Sequence, residues 1–255
     1  MSTATSAPLV SIITPTCGRA RFLPALARCV QAQTARWEWL VLDDSPEPDR
    51  WMQRLAQTDA RVRYIHSGGH LSIGAKRGRL VAAARGEFVA HFDDDDYYAP
   101  QYLADMTRLL TERRVDLVKL SAFFVYAPGV GLFGYMDLTS PAGRHYMPTA
   151  TGIREVEPCD EMRIGDDFAL CYGFSYFYRR TLGASSRFAD IDLGEDDNFI
   201  RCVVAGGHRV ATLDDVRHDC LHVLHPDSTS HCFARYRMPA FLLPQLFPGY
   251  EGYPA

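Results

Sequence analysis

The chain has 255 residues, of which 47% are hydrophobic and 23% are charged, and its formal net charge is −4. The length allows one large domain or two small ones with a sizeable core. The slightly acidic balance argues against nucleic acid or an anionic membrane as a partner, and no apolar run approaches the roughly 18 residues of a transmembrane helix.

The first eight residues, MSTATSAP, lack the basic and apolar regions of a signal peptide. We predict that residues 1–8 are a short disordered lead. The chain contains seven cysteines without a Cys-x-x-Cys pair. An odd number at these spacings favours reduced thiols over a disulfide framework, and it predicts a cytoplasmic protein.

Short apolar runs alternate with helical patterns through the first half of the chain. The patterns predict strands at 9–15, 37–44, 61–67 and 87–92, and helices at 20–34, 48–57 and 73–84. Trp37 and Trp39 flank Glu38, so both should point to one face of their strand and pack in the core. Strands that alternate with helices in this way predict an α/β fold, a doubly wound, mostly parallel sheet with helices on both faces.

The second half of the chain is less regular. Strand-like runs lie at 115–127 and 171–180, and a helix is predicted at 195–207. Glycines, prolines and aromatic residues between 128 and 158 indicate a long, loop-rich segment. After Pro226 we expect irregular packing over the domain.

Four adjacent aspartates, Asp93–Asp96, follow the predicted strand at 87–92. Two carboxylates about 4 Å apart repel by roughly 4 kcal/mol at an effective dielectric constant near 20. By itself, such a run is typical of a solvated turn. Open α/β sheets, however, bind ligands beyond the carboxyl ends of their strands, where 14–19 and 43–47 should also lie. This position favours a bound hard cation, Mn²⁺ or Mg²⁺, over a solvated turn.

Several motifs together resemble family 2 glycosyltransferases of the GT-A fold. They are 14-TPT-16 with Arg19, 43-DDS-45, 73-IGAKRG-78, 84-ARGE-87, 93-DDDDYYAP-100 and 194-GEDDNF-199. The resemblance extends from residue 9 to about residue 204. It implies one continuous domain, with a nucleotide-sugar-binding half at 9–112 and an acceptor-side half with a C-terminal extension at 113–255.

The resemblance also implies roles for residues on the donor side. The expected nucleotide-binding residues are Thr14, Pro15, Thr16, Arg19, Asp43, Asp44, Lys76, Arg77, Asp93 and Asp94. Asp43 matches the aspartate that binds uracil, and Asp95 with Asp93 matches the metal-binding D-x-D pair. Asp94 replaces a small or neutral residue, so it is expected to be the most replaceable aspartate, and Gly78 replaces an asparagine.

On the acceptor side, Glu195 and Asp196 match the acid pair of the family. In inverting members one such carboxylate removes the acceptor proton, and Asp196 is the first choice here, before Glu195. The alternative is that 195-EDD-197 only favours a helix N-terminus electrostatically.

Histidines are frequent in 218-HDCLHVLHPDSTSH-231. The resemblance makes His225, and then His222, candidates for contact with the metal or the diphosphate. A zinc site with Cys220 or Cys232 and plain surface histidines are the alternatives.

The sequence therefore predicts a metal-dependent, inverting glycosyltransferase. It would use a nucleotide-sugar donor, with a UDP-sugar favoured, and a hydroxyl acceptor that the sequence does not identify, and it could form homo-oligomers. A nucleotidyltransferase and a non-catalytic nucleotide-sugar- or carbohydrate-binding module are the alternatives.

Overall fold

The computed structural model describes residues 9–140, 142–157, 170–226, 228 and 230–253. The predicted disordered lead, residues 1–8, lies outside these ranges, and so does Cys159. The remaining six cysteines are free thiols.

Strands and helices alternate through the first half of the chain, as the sequence predicts. The strands are β1 (Val10–Thr16), β2 (Trp37–Asp43), β3 (Val62–His66), β4 (Phe88–His91), β5 (Tyr97–Tyr98), β6 (Leu117–Ala127), β7 (Leu132–Asp137), β8 (His145–Thr149), β9 (Gly152–Val156), β10 (Phe177–Arg179), β11 (Val210–Asp214), β12 (Cys220–Val223) and β13 (Tyr236–Met238). The helices are α1 (Leu23–Ala32), α2 (Arg50–Thr58), α3 (Ile73–Ala83), α4 (Tyr102–Arg113), α5 (Arg180–Ser185), α6 (Glu195–Ala205) and α7 (Leu243–Leu246). No helix in the described ranges is both long and apolar enough to cross a membrane.

The central sheet joins strands from both halves of the chain. Its main path runs β13-β7-β6-β10-β4-β1-β2-β3. The four strands β3, β2, β1 and β4 are mutually parallel, whereas β10 lies antiparallel between β4 and β6. The α/β class is therefore confirmed. The carboxyl ends of the parallel strands meet at one edge, which places the loops after them side by side.

Alternation along each strand divides the core between the two faces of the sheet. Val10 and Ile12 of β1 pack on the face that α1 covers, whereas Ile13 packs on the face that α3 and α6 cover. Trp37 and Trp39 share the first face and are 5% and 0% exposed, so the prediction that both are core residues is confirmed. Helices on both faces are thus a direct consequence of the period-two pattern.

Two predicted segments differ from the structure. The segment 128–158 is not mainly loop, because it contains β7 and the β8–β9 hairpin. The glycines that suggested a long loop instead make a tight turn, since Gly131 has a φ of +65° and β7 returns at once to pair antiparallel with β6. The predicted strand 171–180 is shorter, because a 3₁₀ turn at Gly173–Ser175 precedes β10. Helix α4 follows the aspartates and has no counterpart among the predicted elements.

Candidate active site

A cavity of about 390 Å³ opens at the carboxyl ends of the parallel strands. It brings together twelve of the residues that the sequence singled out: Pro15, Thr16, Arg19, Asp44, Lys76, Arg77, Asp93, Asp94, Asp95, Glu195, Asp196 and His222. These residues come from six separate stretches of the chain. Thr14, Asp43 and His225 do not line this cavity.

Thr14 and Asp43 are occupied by contacts inside the sheet. The Thr14 hydroxyl donates to the Phe92 carbonyl at 2.9 Å and accepts from the Trp39 indole at 3.0 Å. Asp43 accepts from the Tyr64 hydroxyl at 2.5 Å and from the Ser45 amide at 2.8 Å. Asp43 is 2% exposed. Its carboxylate therefore shapes the turn after β2, and its neighbour Asp44 is the one that faces the cavity.

Asp44 is held by a lysine of α3. The Lys76 ammonium lies 2.6 Å from one Asp44 oxygen and donates to the Thr16 carbonyl at 3.2 Å. The other Asp44 oxygen accepts from the Leu71 amide at 2.9 Å. Burial alone would raise the pKa of Asp44, but the Leu71 amide and Lys76 outweigh it and lower that pKa.

Arg19 neutralises two of the four adjacent aspartates. Its Nη1 atom lies 3.0 Å from Asp94 and 2.7 Å from Asp95. Asp94 also accepts from the Thr16 hydroxyl at 2.5 Å and is 2% exposed. Burial, with a contribution from neighbouring Asp95, raises the pKa of Asp94 to about 7. These contacts explain an acid at position 94 and do not support the expectation that Asp94 is the most replaceable aspartate.

Asp95 has a second basic neighbour in His225. The His225 Nε2 atom lies 2.9 Å from the Asp95 carboxylate, and the imidazole stacks on Phe22 with ring centroids 4.7 Å apart. Burial disfavours ionisation of Asp95, but the His225 hydrogen bond and Arg19 outweigh it and lower the pKa of Asp95. The Tyr253 hydroxyl donates to the Asp95 carbonyl. The C-terminal segment thus packs directly behind this aspartate.

Asp96 points away from the cavity towards β12. It accepts from His222 Nδ1 at 2.8 Å and from the Val223 amide at 2.9 Å. The second ring nitrogen of His222 is 3.0 Å from the Ser230 hydroxyl. Burial disfavours the charged imidazole, but Asp96 outweighs it and raises the pKa of His222 well above its usual range. Both nitrogens of His222 are therefore engaged, and its observed role is to hold Asp96.

The loop that contains Asp93–Asp96 is called the aspartate loop below. Arg77 connects this loop with the acid pair Glu195 and Asp196. Its guanidinium lies 3.2 Å from Asp93 and 2.8 Å from Glu195, and the residue is 4% exposed. Burial raises the pKa of Glu195, and Asp196 adds to this rise while Arg77 opposes it. Glu195 is thus committed to an ion pair inside the protein.

Asp196 is held differently, because its recorded hydrogen bonds come from backbone amides. One carboxylate oxygen accepts from the Gly173 amide at 2.7 Å, and the other accepts from the Asp197 amide at 2.8 Å. Asp196 is half-buried and lines the cavity. A carboxylate oxygen has two lone pairs, so each oxygen can still accept a proton from a ligand.

The cavity also contains residues to which the sequence analysis gave no individual role. They are Cys17, His70, Ile73, Tyr172, Gly173, Phe174, Asp192, Leu193, Gly194, Ser228 and Ser230. Gly194 precedes α6 and has a φ of +83°. A glycine directly before a predicted helix is a sequence signal of a turn at that point. Tyr172 and Gly173 lie inside a run that resembles a strand, so no local pattern marks them.

Asp95 and His225 are the residues best placed to hold a divalent cation. In the described part of the chain, no group of three or more His, Cys, Asp or Glu side chains could hold a metal ion. The alternative of a zinc site with Cys220 or Cys232 therefore has no such group there. A carboxylate and an imidazole do suit Mn²⁺ when the phosphate oxygens of a ligand supply the other ligands.

The chain belongs to glycosyltransferase family 2, since the sequence profile described as Glycosyl transferase family 2 matches residues 11–153. A curated relative, the uncharacterized glycosyltransferase EpsJ of Bacillus subtilis, is 27% identical over 220 residues. The match covers 82% of this chain and 59% of EpsJ.

Solved structures show the same GT-A fold. TarS of S. aureus, in complex with UDP-GlcNAc, superposes with a TM-score of 0.61 at 16% identity, over 86% of this chain and 60% of that one. The mannosyltransferase PcManGT of Pyrobaculum calidifontis, in complex with GDP-Man and Mn²⁺, gives a TM-score of 0.59 at 18% identity. That match covers 88% of this chain and 59% of PcManGT. This chain therefore spans less than two thirds of the length of these proteins.

Proposed function

We propose that the protein is a metal-dependent, inverting glycosyltransferase that moves a sugar from a nucleotide diphosphate to a hydroxyl acceptor. The observation that carries this proposal is one cavity that is lined both by Asp93 and Asp95 and by Asp196. A donor held by the first pair would present its anomeric carbon to an acceptor beside Asp196. Family membership argues against a nucleotidyltransferase.

A nucleotide would lie along the carboxyl ends of β1 and β2. Pro15, Thr16 and Asp44 line this part of the cavity, and Asp44 takes the nucleobase-binding role that the resemblance suggested for Asp43. The solved relatives bind UDP-GlcNAc and GDP-Man. We favour a UDP-sugar for this chain because the resemblance gives a uracil-binding role to an aspartate of the turn after β2.

The diphosphate would lie near Asp93, Asp95, His225 and Arg19. Asp95 and His225 would hold a divalent cation, which when bound stabilises negative charge on the departing diphosphate. Arg19 carries a fixed positive charge beside these aspartates and would orient the diphosphate oxygens. Arg77 keeps Asp93 in place through their ion pair.

Asp196 would act as the general base. It takes the acceptor hydroxyl proton while the acceptor oxygen forms a bond to the anomeric carbon, and the bond from that carbon to the phosphate oxygen breaks. The bonding electrons leave with the nucleoside diphosphate, so the configuration inverts in a single displacement. Asp196 suits this role better than Glu195, whose carboxylate is tied to Arg77.

Release of UDP or GDP from a panel of nucleotide-sugars tests the proposal. The purified protein is incubated with UDP-GlcNAc, UDP-glucose or GDP-mannose, with Mn²⁺ or with EDTA, and water serves as the acceptor. We expect Mn²⁺-dependent release from at least one donor, and we expect Asp95→Ala to abolish it. Binding without release from any donor would favour the alternative of a non-catalytic module.

A further inference from the structure

A short backbone segment, Cys171–Ser175, lies between the aspartate loop and Asp196. Four of its five carbonyl oxygens accept hydrogen bonds from side chains of other elements. The four residues that donate these hydrogen bonds are all buried. The donors are Lys119 to Cys171, His91 to Gly173 at 3.0 Å, Tyr98 to Phe174 at 3.0 Å and Tyr102 to Ser175 at 3.3 Å. Buried backbone carbonyls need hydrogen-bond partners, and side chains of four different residues supply them here.

The Gly173 peptide links this segment to the candidate base. Its amide donates to Asp196 at 2.7 Å. Its carbonyl faces His91 Nδ1, which must carry the proton because a carbonyl only accepts. A Cβ atom on Gly173 would lie 2.7 Å from the Asp196 Cβ and 2.9 Å from Arg77 Nη1, so only glycine fits here without displacing both side chains.

The backbone before Gly173 is held in a disfavoured conformation. Tyr172 has a φ of +68° and a ψ of +85°, and residues other than glycine seldom adopt a positive φ. Strained conformations persist only where the surroundings enforce them, and they concentrate at functional sites. The hydrogen bonds to Cys171 and Gly173, on either side of Tyr172, provide that constraint.

Lys119 is the least expected of the four donors. It lies on β6, is 0% exposed and donates to the Cys171 carbonyl. Burial lowers its pKa to about 7, so the amine is partly neutral near physiological pH. Both the ammonium and the neutral amine can donate a hydrogen bond, so the contact with Cys171 does not depend on charge.

Tyr98 joins the same segment to the donor side. Its hydroxyl accepts from the Asp93 amide at 3.0 Å and donates to the Phe174 carbonyl at 3.0 Å. The segment is therefore joined to Asp196 by one hydrogen bond and to Asp93 by two, through Tyr98.

We propose that Lys119 and Tyr98 are positioning residues, which act through the Cys171–Ser175 segment to aim the Asp196 carboxylate at the acceptor. The inference rests on the proposed function in that it takes Asp196 as the base. A purely stabilising role would instead leave the geometry at Asp196 unchanged when these residues are replaced.

The Gly173 amide can be observed directly by NMR. Tyr172–Gly173 is the only Tyr-Gly dipeptide in the sequence, so carbonyl-¹³C tyrosine with ¹⁵N glycine gives one assigned amide signal. In the wild type we expect this signal to respond to pH as the Asp196 carboxyl titrates, and the response to vanish in Asp196→Asn.

Two Lys119 variants separate the hydrogen bond from the charge. Lys119→Met removes the donor, whereas Lys119→Gln keeps an N–H without a charge. We expect Lys119→Met to move the Gly173 signal upfield and to weaken its pH response, and Lys119→Gln to stay closer to the wild type. An unchanged signal in a folded Lys119→Met protein would overturn the proposal.

Tyr98→Phe keeps the proposal testable if both Lys119 variants fail to fold. It removes only a hydroxyl, and its matched control is Tyr97→Phe, since the Tyr97 hydroxyl faces Gly249 instead. We expect the Gly173 signal to move in Tyr98→Phe and not in Tyr97→Phe. A signal that moves in neither variant would overturn the role of Tyr98.

Kinetics then distinguish failure of this inference from failure of the proposed function. With a donor that the wild type hydrolyses, we expect Lys119→Met to lower kcat about tenfold, as for a lost hydrogen bond to a charged group, with KM little changed. The acid limb of the pH profile should move to higher pH, since hydrogen bonds favour the charged carboxylate. If the NMR result holds but no donor is hydrolysed, the positioning of the Asp196 carboxylate through this segment stands, and its assignment as the base of a glycosyltransferase is wrong.

Discussion

Two sets of carboxylates line the cavity, the aspartate loop and Asp196, and they are stabilised in different ways. The aspartate loop is held by basic side chains, with Arg19 on Asp94 and Asp95, and His225 on Asp95. Asp196 instead accepts from the amides of Gly173 and Asp197. In the proposed function the basic side chains at the first site would also contact the metal and the diphosphate, whereas the two amides at the second site fix the Asp196 carboxylate and carry no charge. The difference suits a donor site on one side and a base on the other.

The largest expected effect is a loss of turnover on replacing Asp196, the carboxylate that backbone amides hold. Asp196→Asn keeps the shape and an amide-accepting oxygen but removes the base, so we expect transfer or donor hydrolysis to fall by about 10²–10⁴-fold. Affinity for UDP with Mn²⁺, measured by calorimetry, should change little. Glu195→Gln is the matched control, and an equal loss of turnover in both variants would contradict the assignment of Asp196 alone.

In the aspartate loop, the buried pair of Asp96 and His222 allows the contribution of such a contact to stability to be measured. Asp96→Ala leaves the His222 imidazole buried without its carboxylate, and we expect a loss of about 3–5 kcal/mol in the free energy of unfolding. Urea denaturation measures this loss. The double variant Asp96→Ala/His222→Phe should lose less than the sum of its single changes, because it leaves no unpaired charge. Strict additivity would show that the pair is not coupled.

Lys119 predicts a pH dependence of stability. Its folded-state pKa is lowered to about 7, so between that pH and about pH 10.4, the usual pKa of lysine, the unfolded chain binds a proton that the folded chain lacks. Stability then rises with pH, by up to about 1.4 kcal/mol per pH unit for this group.

Urea denaturation curves at pH 7, 8 and 9 check whether stability rises with pH. The wild type should gain stability relative to Lys119→Met over this range, since the variant lacks the titrating amine. Parallel pH dependences of the two proteins would mean that the lysine titrates normally.

The smallest expected effect comes from α3, the helix that carries Lys76 and Arg77 to both sides of the cavity. Gly78 is exposed in the helix interior, and a Cβ atom there would meet nothing within 4 Å. We expect Gly78→Ala to stabilise the protein by about 0.5–1 kcal/mol in urea denaturation, with unchanged donor hydrolysis. Altered hydrolysis would show that turnover requires movement of this helix.

Much of the donor side could be predicted because its signals are local. Each strand of the parallel set ends in a polar turn, so the rule for open α/β sheets placed Thr16, Asp44 and Asp93 near one another without any knowledge of contacts. The same rule did not separate Asp43 from Asp44. Which of two adjacent carboxylates faces the cavity depends on Tyr64 and Lys76, which are distant in sequence.

The sequence by itself determined the order of strands and helices from β1 to β4, the two faces of the core and the family, since periodicity and short motifs are properties of consecutive residues. Only the tertiary structure decided how each carboxylate is held. Asp94 proved to be buried against Thr16 and Arg19, and the Gly173 amide was brought to Asp196 by contacts that cross 23 residues of sequence. Such partners are set by the packing of β4, β6 and α6 around the cavity, which no local pattern encodes.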